Sequence, residues 1–174
     1  DVDHAAAEAI PHPVERVVVP ELVPEVVQAS REYFDQWTRG LAEDPRVEIR
    51  AEDGRQYLAA TPDVFDVVIS DLFVPWHPGT GLLYSREHFE TVRARLAPGG
   101  LFAQWLPLFQ LTRQEFEVIA RTLLEVFPHV VIWRGDFYAN RPIVALVASA
   151  SPMRLDPDRL PRRAGALPGG AGRP

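Results

Sequence analysis

Apolar residues in the first 150 positions alternate between two patterns, short runs typical of buried strands and spacings typical of amphipathic helices. Near-continuous apolar runs are expected for strands that are buried on both faces of a sheet. Six runs predict strands: Arg16–Val19, Val47–Arg50, Val64–Ser70, Leu101–Leu106, Val130–Trp133 and Ile143–Ala148. Together the alternating patterns predict an α/β fold, with a mostly parallel sheet and helices on both of its faces.

Local signals predict where several helices begin. Pro24–Phe34 starts with proline, which the first turn of a helix tolerates. Ser85 is predicted to cap a helix, and Thr112 with Glu115 matches a capping box at the start of another. The apolar stripe of this last helix is predicted to contain Phe116, Ile119, Ala120, Leu123 and Leu124. The segment Pro98–Gly100 is predicted to form a turn that feeds the next strand.

Residues 151–174 form a compositionally distinct segment that is rich in proline, glycine and arginine. Such a composition sustains neither a helix nor a strand ladder. We therefore predict one folded domain at residues 1–150 and a disordered tail at residues 151–174.

Composition removes several chemistries. The chain has 174 residues and no cysteine, which excludes thiolate nucleophiles, cysteine zinc sites and disulfides. All 18 basic residues are arginine, so Schiff-base, pyridoxal-phosphate and Walker-type phosphate sites, which need lysine, are excluded as well. The net charge of −6 argues against nucleic acid as a partner. The five histidines are scattered without the spacing of ligands, so no metal is expected.

Three acidic residues follow predicted strands: Glu21, Asp53 and Asp71. In an open parallel sheet, residues just past the carboxyl ends of the strands line the ligand crevice. A carboxylate such as that of Glu21 can accept two hydrogen bonds from a ribose diol, although a solvated loop acid fits the position equally well. Asp53 with Gly54 could hold the edge of an adenine, or could form an ordinary Asp-Gly turn.

One block of the sequence carries a resemblance to a known family. It consists of three segments that read VISDLFVPWHP, GLLYSREHF and LAPGG: Val68–Pro78, Gly81–Phe89 and Leu96–Gly100. Val19–Val27, and Asp44–Val47 with Glu52–Arg55, are similar to neighbouring units of the same family. Over roughly residues 12–148 the chain resembles spermidine synthases and their bacterial spermidine-synthase-like relatives.

The resemblance implies a fold, a reaction and roles for individual residues. The fold is the class I methyltransferase-like Rossmann fold, and the reaction moves an aminopropyl group from decarboxylated S-adenosylmethionine to putrescine in polyamine biosynthesis. By resemblance, Glu21 binds the ribose hydroxyls, Asp53 and Gly54 bind the adenine side, and Asp71 is the catalytic acid that receives the amine proton. Tyr84 and Gln104 fall in matching blocks and would bind substrate, with packing as an equally good account of both.

Two features depart from the family pattern. Val74 stands where polyamine-forming members carry a second aspartate for the substrate ammonium. The family's first strand and glycine-rich turn have no counterpart in the sequence, so we expect a domain that is incomplete at its amino terminus.

Two alternatives to aminopropyl transfer stay open on this evidence. One is methyl transfer from S-adenosylmethionine, and the other is a non-catalytic remnant or interaction module. The expected partner is a small-molecule amine, while the resemblance leaves open a homodimer and a membrane region upstream. The expected location is the cytoplasm, or the cytoplasmic face of a membrane protein.

Overall fold

The computed structural model describes residues 2–33, 38, 40–72, 79–135 and 140–154, with side chains from residue 6 onward. Within these ranges the strands are β1 (Val17–Glu21), β2 (Val47–Ala51), β3 (Phe65–Ser70), β4 (Leu96–Pro107), β5 (His129–Gly135) and β6 (Ile143–Ser149). The α-helices are α1 (Val2–Ala9), α2 (Pro24–Tyr33), α3 (Gly54–Ala60), α4 (Arg86–Ala94) and α5 (Arg113–Val126). All six predicted strands are therefore present, with ends that differ from the prediction.

The chain divides into two compact units, Asp1–Ala51 with Met153–Pro174, and Glu52–Pro152. In the first unit β1 and β2 form a parallel pair that runs from Val17 opposite Val47 to Glu21 opposite Ala51. A small apolar cluster joins α1 to this pair through three buried residues, Ala6, Val19 and Leu41.

The second unit contains a four-stranded sheet with the order β3-β4-β6-β5. β3 and β4 are parallel, whereas β6 runs antiparallel to both of its neighbours. The sequence analysis predicted a mostly parallel sheet without identifying β6 as an antiparallel strand. Only residues 136–142 connect β5 to β6, and so short a connection suits a hairpin, because a parallel crossover needs about a dozen residues or more.

β4 begins at Leu96, before its predicted start at Leu101, and it includes the predicted turn at Pro98–Gly100 as an irregularity. Leu96 lies opposite Phe65 whereas Leu101 lies opposite Val67, so the register shifts across this segment. The backbone of Gly99 has a φ of +81°, a conformation that favours glycine. The glycines here serve backbone geometry, as the sequence analysis expected.

Helices α4 and α5 of the second unit pack against its sheet and form the main core with it. The core is built from large side chains of α4, β4 and α5 that exclude solvent, including Phe89, Phe102 and Leu123. All three predicted helix starts are confirmed. α2 begins at Pro24, Ser85 accepts a hydrogen bond from the His88 amide, and Thr112 forms the capping box with Glu115.

The apolar stripe predicted for α5 is correct for its buried members but wrong for one residue. Ile119 and Leu123 are buried, and Val126 continues their row at helical spacing. Leu124 is 54% exposed, because it lies one residue, and so about 100° of helical rotation, from Leu123.

His88 is a buried histidine on the apolar side of α4, beside Phe89 and Val92. Burial lowers the pKa of its imidazole to about 4; the Arg55 guanidinium also lowers it, and the Asp53 carboxylate opposes the shift. The imidazole is therefore neutral at pH 7, and it serves as a core side chain.

Among the described helices, none combines the length and the apolar character that a bilayer span requires. Residues 155–174, most of the predicted tail, lie outside the described residues, so the tail and the single-domain boundary stay predictions.

Replacing Gly100 should destabilise the second unit. A Cβ at this position would lie 2.9 Å from the carbonyl oxygen of Ala97 and 3.1 Å from that of Phe65, both backbone atoms that cannot swing away. We expect Gly100→Ala to lower the free energy of unfolding by about 1–3 kcal/mol, measured by urea denaturation. Gly81→Ala is the matched control, because no atom lies within 4 Å of its added Cβ. Equal midpoints for the two variants would contradict this account.

Acidification should destabilise the fold through His88. The unfolded imidazole takes up a proton below its ordinary pKa of 6.5, whereas the folded one does so only near pH 4, so stability falls as the pH drops through this interval. The loss approaches about 3 kcal/mol at pH 4. Urea denaturation from pH 4 to 7 should show a weaker pH dependence for His88→Phe than for the wild type, and no such change for the exposed control His12→Gln. Parallel curves for wild type and His88→Phe would refute the assignment.

Candidate active site

The three acids predicted from the sequence all lie at carboxyl ends of strands. Glu21 is the last residue of β1, Asp53 follows β2, and Asp71 follows β3 directly. Each carboxylate accepts a hydrogen bond from a backbone amide one to three residues further along the chain. This local arrangement fixes the orientation of an acid at the point where the backbone leaves the sheet.

Asp53 caps helix α3. Its Oδ1 accepts the amides of Arg55 at 2.8 Å and Gln56 at 3.3 Å, and Gly54 is the first residue of the helix. Among the described residues, Oδ2 of Asp53 has no hydrogen-bond partner. The carboxylate is therefore held by one oxygen while the other is available to a donor group of a ligand.

Glu21 has a similar arrangement in the first unit. Its Oε1 accepts the Val23 amide at 2.9 Å, and within the described ranges no group bonds to Oε2. The side chain is partly exposed, so the second oxygen is accessible to a hydroxyl donor.

Asp71 follows the buried strand residue Ser70 and accepts the Leu72 amide through Oδ1 at 2.7 Å. In the parallel pairing of β3 with β4, Ser70 lies opposite Gln104. The register therefore places the end of β3, which Asp71 follows, alongside the position of Gln104 in β4.

Gln104 is completely buried, with no solvent-accessible surface. Its Nε2 donates to the carbonyl oxygen of Trp105 at 3.1 Å, and its Oε1 has no hydrogen-bond partner. Buried carbonyl oxygens without a partner are rare, and each costs about 1–3 kcal/mol.

Tyr84 ends a 3₁₀ helix (Thr80–Tyr84) and packs into the main apolar core, with 8% of its surface exposed. Its hydroxyl is also buried without a hydrogen-bond partner. Burial raises the pKa of Tyr84 to about 12, so the phenol is neutral at physiological pH. Both predicted substrate residues are therefore buried in the second unit, and each carries an unsatisfied polar atom.

Sequence reasoning missed the proximity of His88 to the Asp53 turn. The charge of Arg55 lowers the pKa of the imidazole and that of Asp53 raises it. His88 lies in the first turn of α4, and its amide donates to the Ser85 cap. A sequence signal was available for the burial of His88, because this residue lies four residues before Val92, on the apolar stripe of the helix.

Residues 73–78 of the resembling block, which include Val74, fall outside the described residues. Over the part of the chain that the structure describes, no group of three or more acidic or histidine side chains could hold a metal ion.

Comparison with known proteins identifies relatives of two kinds. Polyamine aminopropyltransferase 2 of Pseudomonas aeruginosa is 40% identical over 124 residues, which cover 70% of this chain and 36% of that protein. The crystal structure of spermidine synthase from Thermotoga maritima matches with a TM-score of 0.73 at 25% identity, over 86% of this chain and 50% of that one. Human methyltransferase-like protein 13, solved in complex with SAH, matches with a TM-score of 0.66 at 19% identity, over 87% and 69% of the two chains, and so shares the fold.

The chain thus spans about a third to a half of the polyamine-related proteins that it matches. The fold expected from the resemblance, a methyltransferase-like Rossmann fold, is confirmed by these structural neighbours. A model of the spermine/spermidine synthase domain matches residues 4–134, most of the sequence, and the chain therefore belongs to the spermine/spermidine synthase family.

Proposed function

We propose that this domain transfers an aminopropyl group from decarboxylated S-adenosylmethionine to an amine. Family membership supports the reaction class. The observation that carries the proposal is the position of Asp71. It directly follows β3, whose last residue, Ser70, lies opposite the buried Gln104 in β4. An oriented carboxylate at a strand end suits a reaction whose nucleophile is an amine.

Two acids suit recognition of the adenosyl donor. Asp53 keeps one oxygen in the helix cap, and its second oxygen can accept a hydrogen bond from the exocyclic amine of adenine. Gly54, next to this cap, offers little steric hindrance on the adenine side. Glu21 is assigned to the ribose hydroxyls, since it also has one oxygen bound to a backbone amide and one accessible.

Asp71 has the role of the proton acceptor. The amine nitrogen attacks the carbon next to the sulfonium, the C–S bond breaks, and its electron pair returns to sulfur to give neutral methylthioadenosine. The new nitrogen centre is a secondary ammonium, and its proton passes to the Asp71 carboxylate and then to water. A positioned carboxylate also stabilises the positive charge that develops on the nitrogen.

Tyr84 and Gln104 are assigned to the acceptor side of the site. Both side chains keep a buried polar atom without a partner, and an amine supplies the donors that such atoms require. This assignment gives the two unsatisfied atoms a ligand instead of a purely structural role.

Asp71→Asn should abolish most of the activity while preserving the fold. Asparagine keeps the size of the side chain and can still accept the Leu72 amide, but it cannot take up the proton. We expect the rate of methylthioadenosine formation, followed by chromatography, to fall by about 100-fold or more. Asp66→Asn removes an exposed carboxylate from the same strand and is the matched control. Similar rates for the two variants would remove Asp71 from the mechanism.

Asp53→Asn should weaken binding of the adenosyl group without loosening helix α3, because asparagine is also a good N-cap. The carboxylate acceptor is lost, and we expect the Kd for methylthioadenosine to rise roughly tenfold. Isothermal titration calorimetry measures this change, and thermal denaturation checks that stability is retained. An unchanged Kd would place the adenine elsewhere.

The identity of the donor is tested by comparing the two related cofactors. Product with decarboxylated S-adenosylmethionine and none with S-adenosylmethionine would support aminopropyl transfer. Methylated product would favour the methyltransferase alternative, and binding of neither compound would favour a non-catalytic domain.

A further inference from the structure

Arg46, the residue before β2, bonds to two parts of the first unit, and the proposed function gives it no role. Its Nε and Nη2 donate to the two oxygens of the Asp44 carboxylate at 3.0 and 2.7 Å. Nη2 also donates to the carbonyl oxygen of Ile10 at 3.0 Å, and Nη1 donates to those of His12 and Val14 at 3.3 and 3.4 Å. A guanidinium has five N–H groups, so these five bonds use all of them.

Asp44 fixes the orientation of this guanidinium. Its Oδ1 also accepts the Arg46 amide at 2.9 Å, so the carboxylate is itself held by the backbone. The hydrogen bonds from Arg46 lower the pKa of Asp44 to about 2, and the carboxylate is therefore charged at pH 7. Because the guanidinium is planar and bonded to both carboxylate oxygens, its remaining N–H groups point in fixed directions.

The three carbonyl groups belong to the connection between α1 and β1, residues 10–16. Pro11 and Pro13 have no N–H group, so this connection cannot form a regular ladder with a neighbouring strand. After it, the Val17 amide donates to the carbonyl oxygen of Arg46 at 2.9 Å, where the pairing of β1 with β2 begins. Arg46 therefore holds the segment before β1 with its side chain and the first residue of β1 with its backbone.

The apolar pattern of β1 fixes the register of this strand only weakly. The strand begins with three consecutive valines, of which only the third, Val19, is buried. A slip by one residue would bring Val18 to the place of Val19 with an identical side chain. The slip would also bring Arg16 to the partly buried place of Val17, from which its long side chain can reach solvent. Pro20 would reach the last paired position, with the loss of at most one hydrogen bond at the strand end.

Such a slip would displace Glu21. In the observed register Glu21 lies opposite Ala51, at the end of the pair. After the slip Pro20 would lie there, and Glu21 would lie one residue, about 3.3 Å, further along. The connection at residues 10–16 could absorb this shift only if its carbonyl groups left Arg46.

We propose that Arg46 is a positioning residue that fixes the register of β1 and thereby places Glu21 at the ribose hydroxyls of the donor. This inference rests on the proposed function, in which Glu21 accepts these hydroxyls. Arg46 contacts neither the donor nor the amine in this assignment, and it acts through the backbone of residues 10–17.

Discrimination between two nucleosides tests this role. The wild-type protein should bind methylthioadenosine about tenfold more tightly than its 2′-deoxy analogue, which lacks one of the hydroxyls assigned to Glu21. Arg46→Met removes all five bonds and keeps the aliphatic part of the side chain, and we expect it to lower this ratio to about threefold or less. Arg31→Met removes an exposed arginine from α2 of the same unit and should keep the wild-type ratio.

The ratio separates a positioning role from a purely structural one. Isothermal titration calorimetry measures the Kd of each nucleoside. A loss of stability alone would lower the folded fraction of the protein, which alters both apparent Kd values by the same factor and leaves their ratio unchanged.

A second substitution tests the register directly. Val18→Thr keeps the size and branching of valine, but the slipped register would bury its hydroxyl in the apolar cluster that contains Val19. Added to Arg46→Met, it should therefore restore most of the wild-type ratio. In NMR spectra, the cross-strand nuclear Overhauser contacts of Ile49 should pass from Val19 to Val18 in Arg46→Met, and return to Val19 in the double variant.

The outcomes distinguish this inference from the proposed function. An unchanged ratio in Arg46→Met, or Val19–Ile49 contacts of wild-type strength, would overturn the inference and leave aminopropyl transfer intact. If Arg46→Met does not fold, Arg46→Lys decides by the same criterion, because an ammonium can pair with Asp44 but cannot also reach three carbonyl groups. Equal affinity of the wild type for both nucleosides would remove Glu21 from the ribose and overturn the inference. Absence of binding of either nucleoside to the wild type would overturn the proposed function, and this inference with it.

Discussion

The parallel pairing of β3 with β4 is the interaction on which the candidate site depends. It sets Ser70 opposite Gln104, so the chain leaves the sheet at Asp71 beside a buried amide. The pairing depends in turn on the irregularity at the start of β4, where Gly99 takes a left-handed conformation and a Cβ on Gly100 would lie only 2.9 Å from a backbone oxygen. Because a shift by one residue would move every side chain of a strand to the opposite face, this backbone detail determines which face carries Gln104.

A second constraint acts on the acids at the strand ends. Their carboxylates accept amides of residues that follow in sequence, so the orientation of each acid is set locally and before any ligand arrives. Asp53 serves both the helix and the site, because the oxygen that caps α3 leaves the other one accessible. Such preorganisation reduces the loss of side-chain conformational entropy on binding, because the carboxylates are already oriented. A freely rotating side chain would lose this entropy in full.

Much of this could be read from the sequence because the signals are local. The capping box at Thr112, the Ser85 cap and the apolar strand runs each involve a few consecutive residues, and the placement of acids after strands follows from them. The antiparallel course of β6, the early start of β4 and the burial of His88 depend on packing against distant residues. Whether Gln104 finds a partner for Oε1 is likewise decided by the neighbours that the fold supplies.

The unsatisfied atoms of Gln104 and Tyr84 indicate what kind of group would suit this part of the site. An unpaired buried acceptor costs about 1–3 kcal/mol, and a ligand recovers this energy by donating a hydrogen bond to it. Gln104 Oε1 can only accept, so it favours a ligand that carries an N–H or O–H donor over an apolar one. A ligand of this kind would gain affinity from a penalty that is present in the free protein, while uptake of the proton is assigned to Asp71.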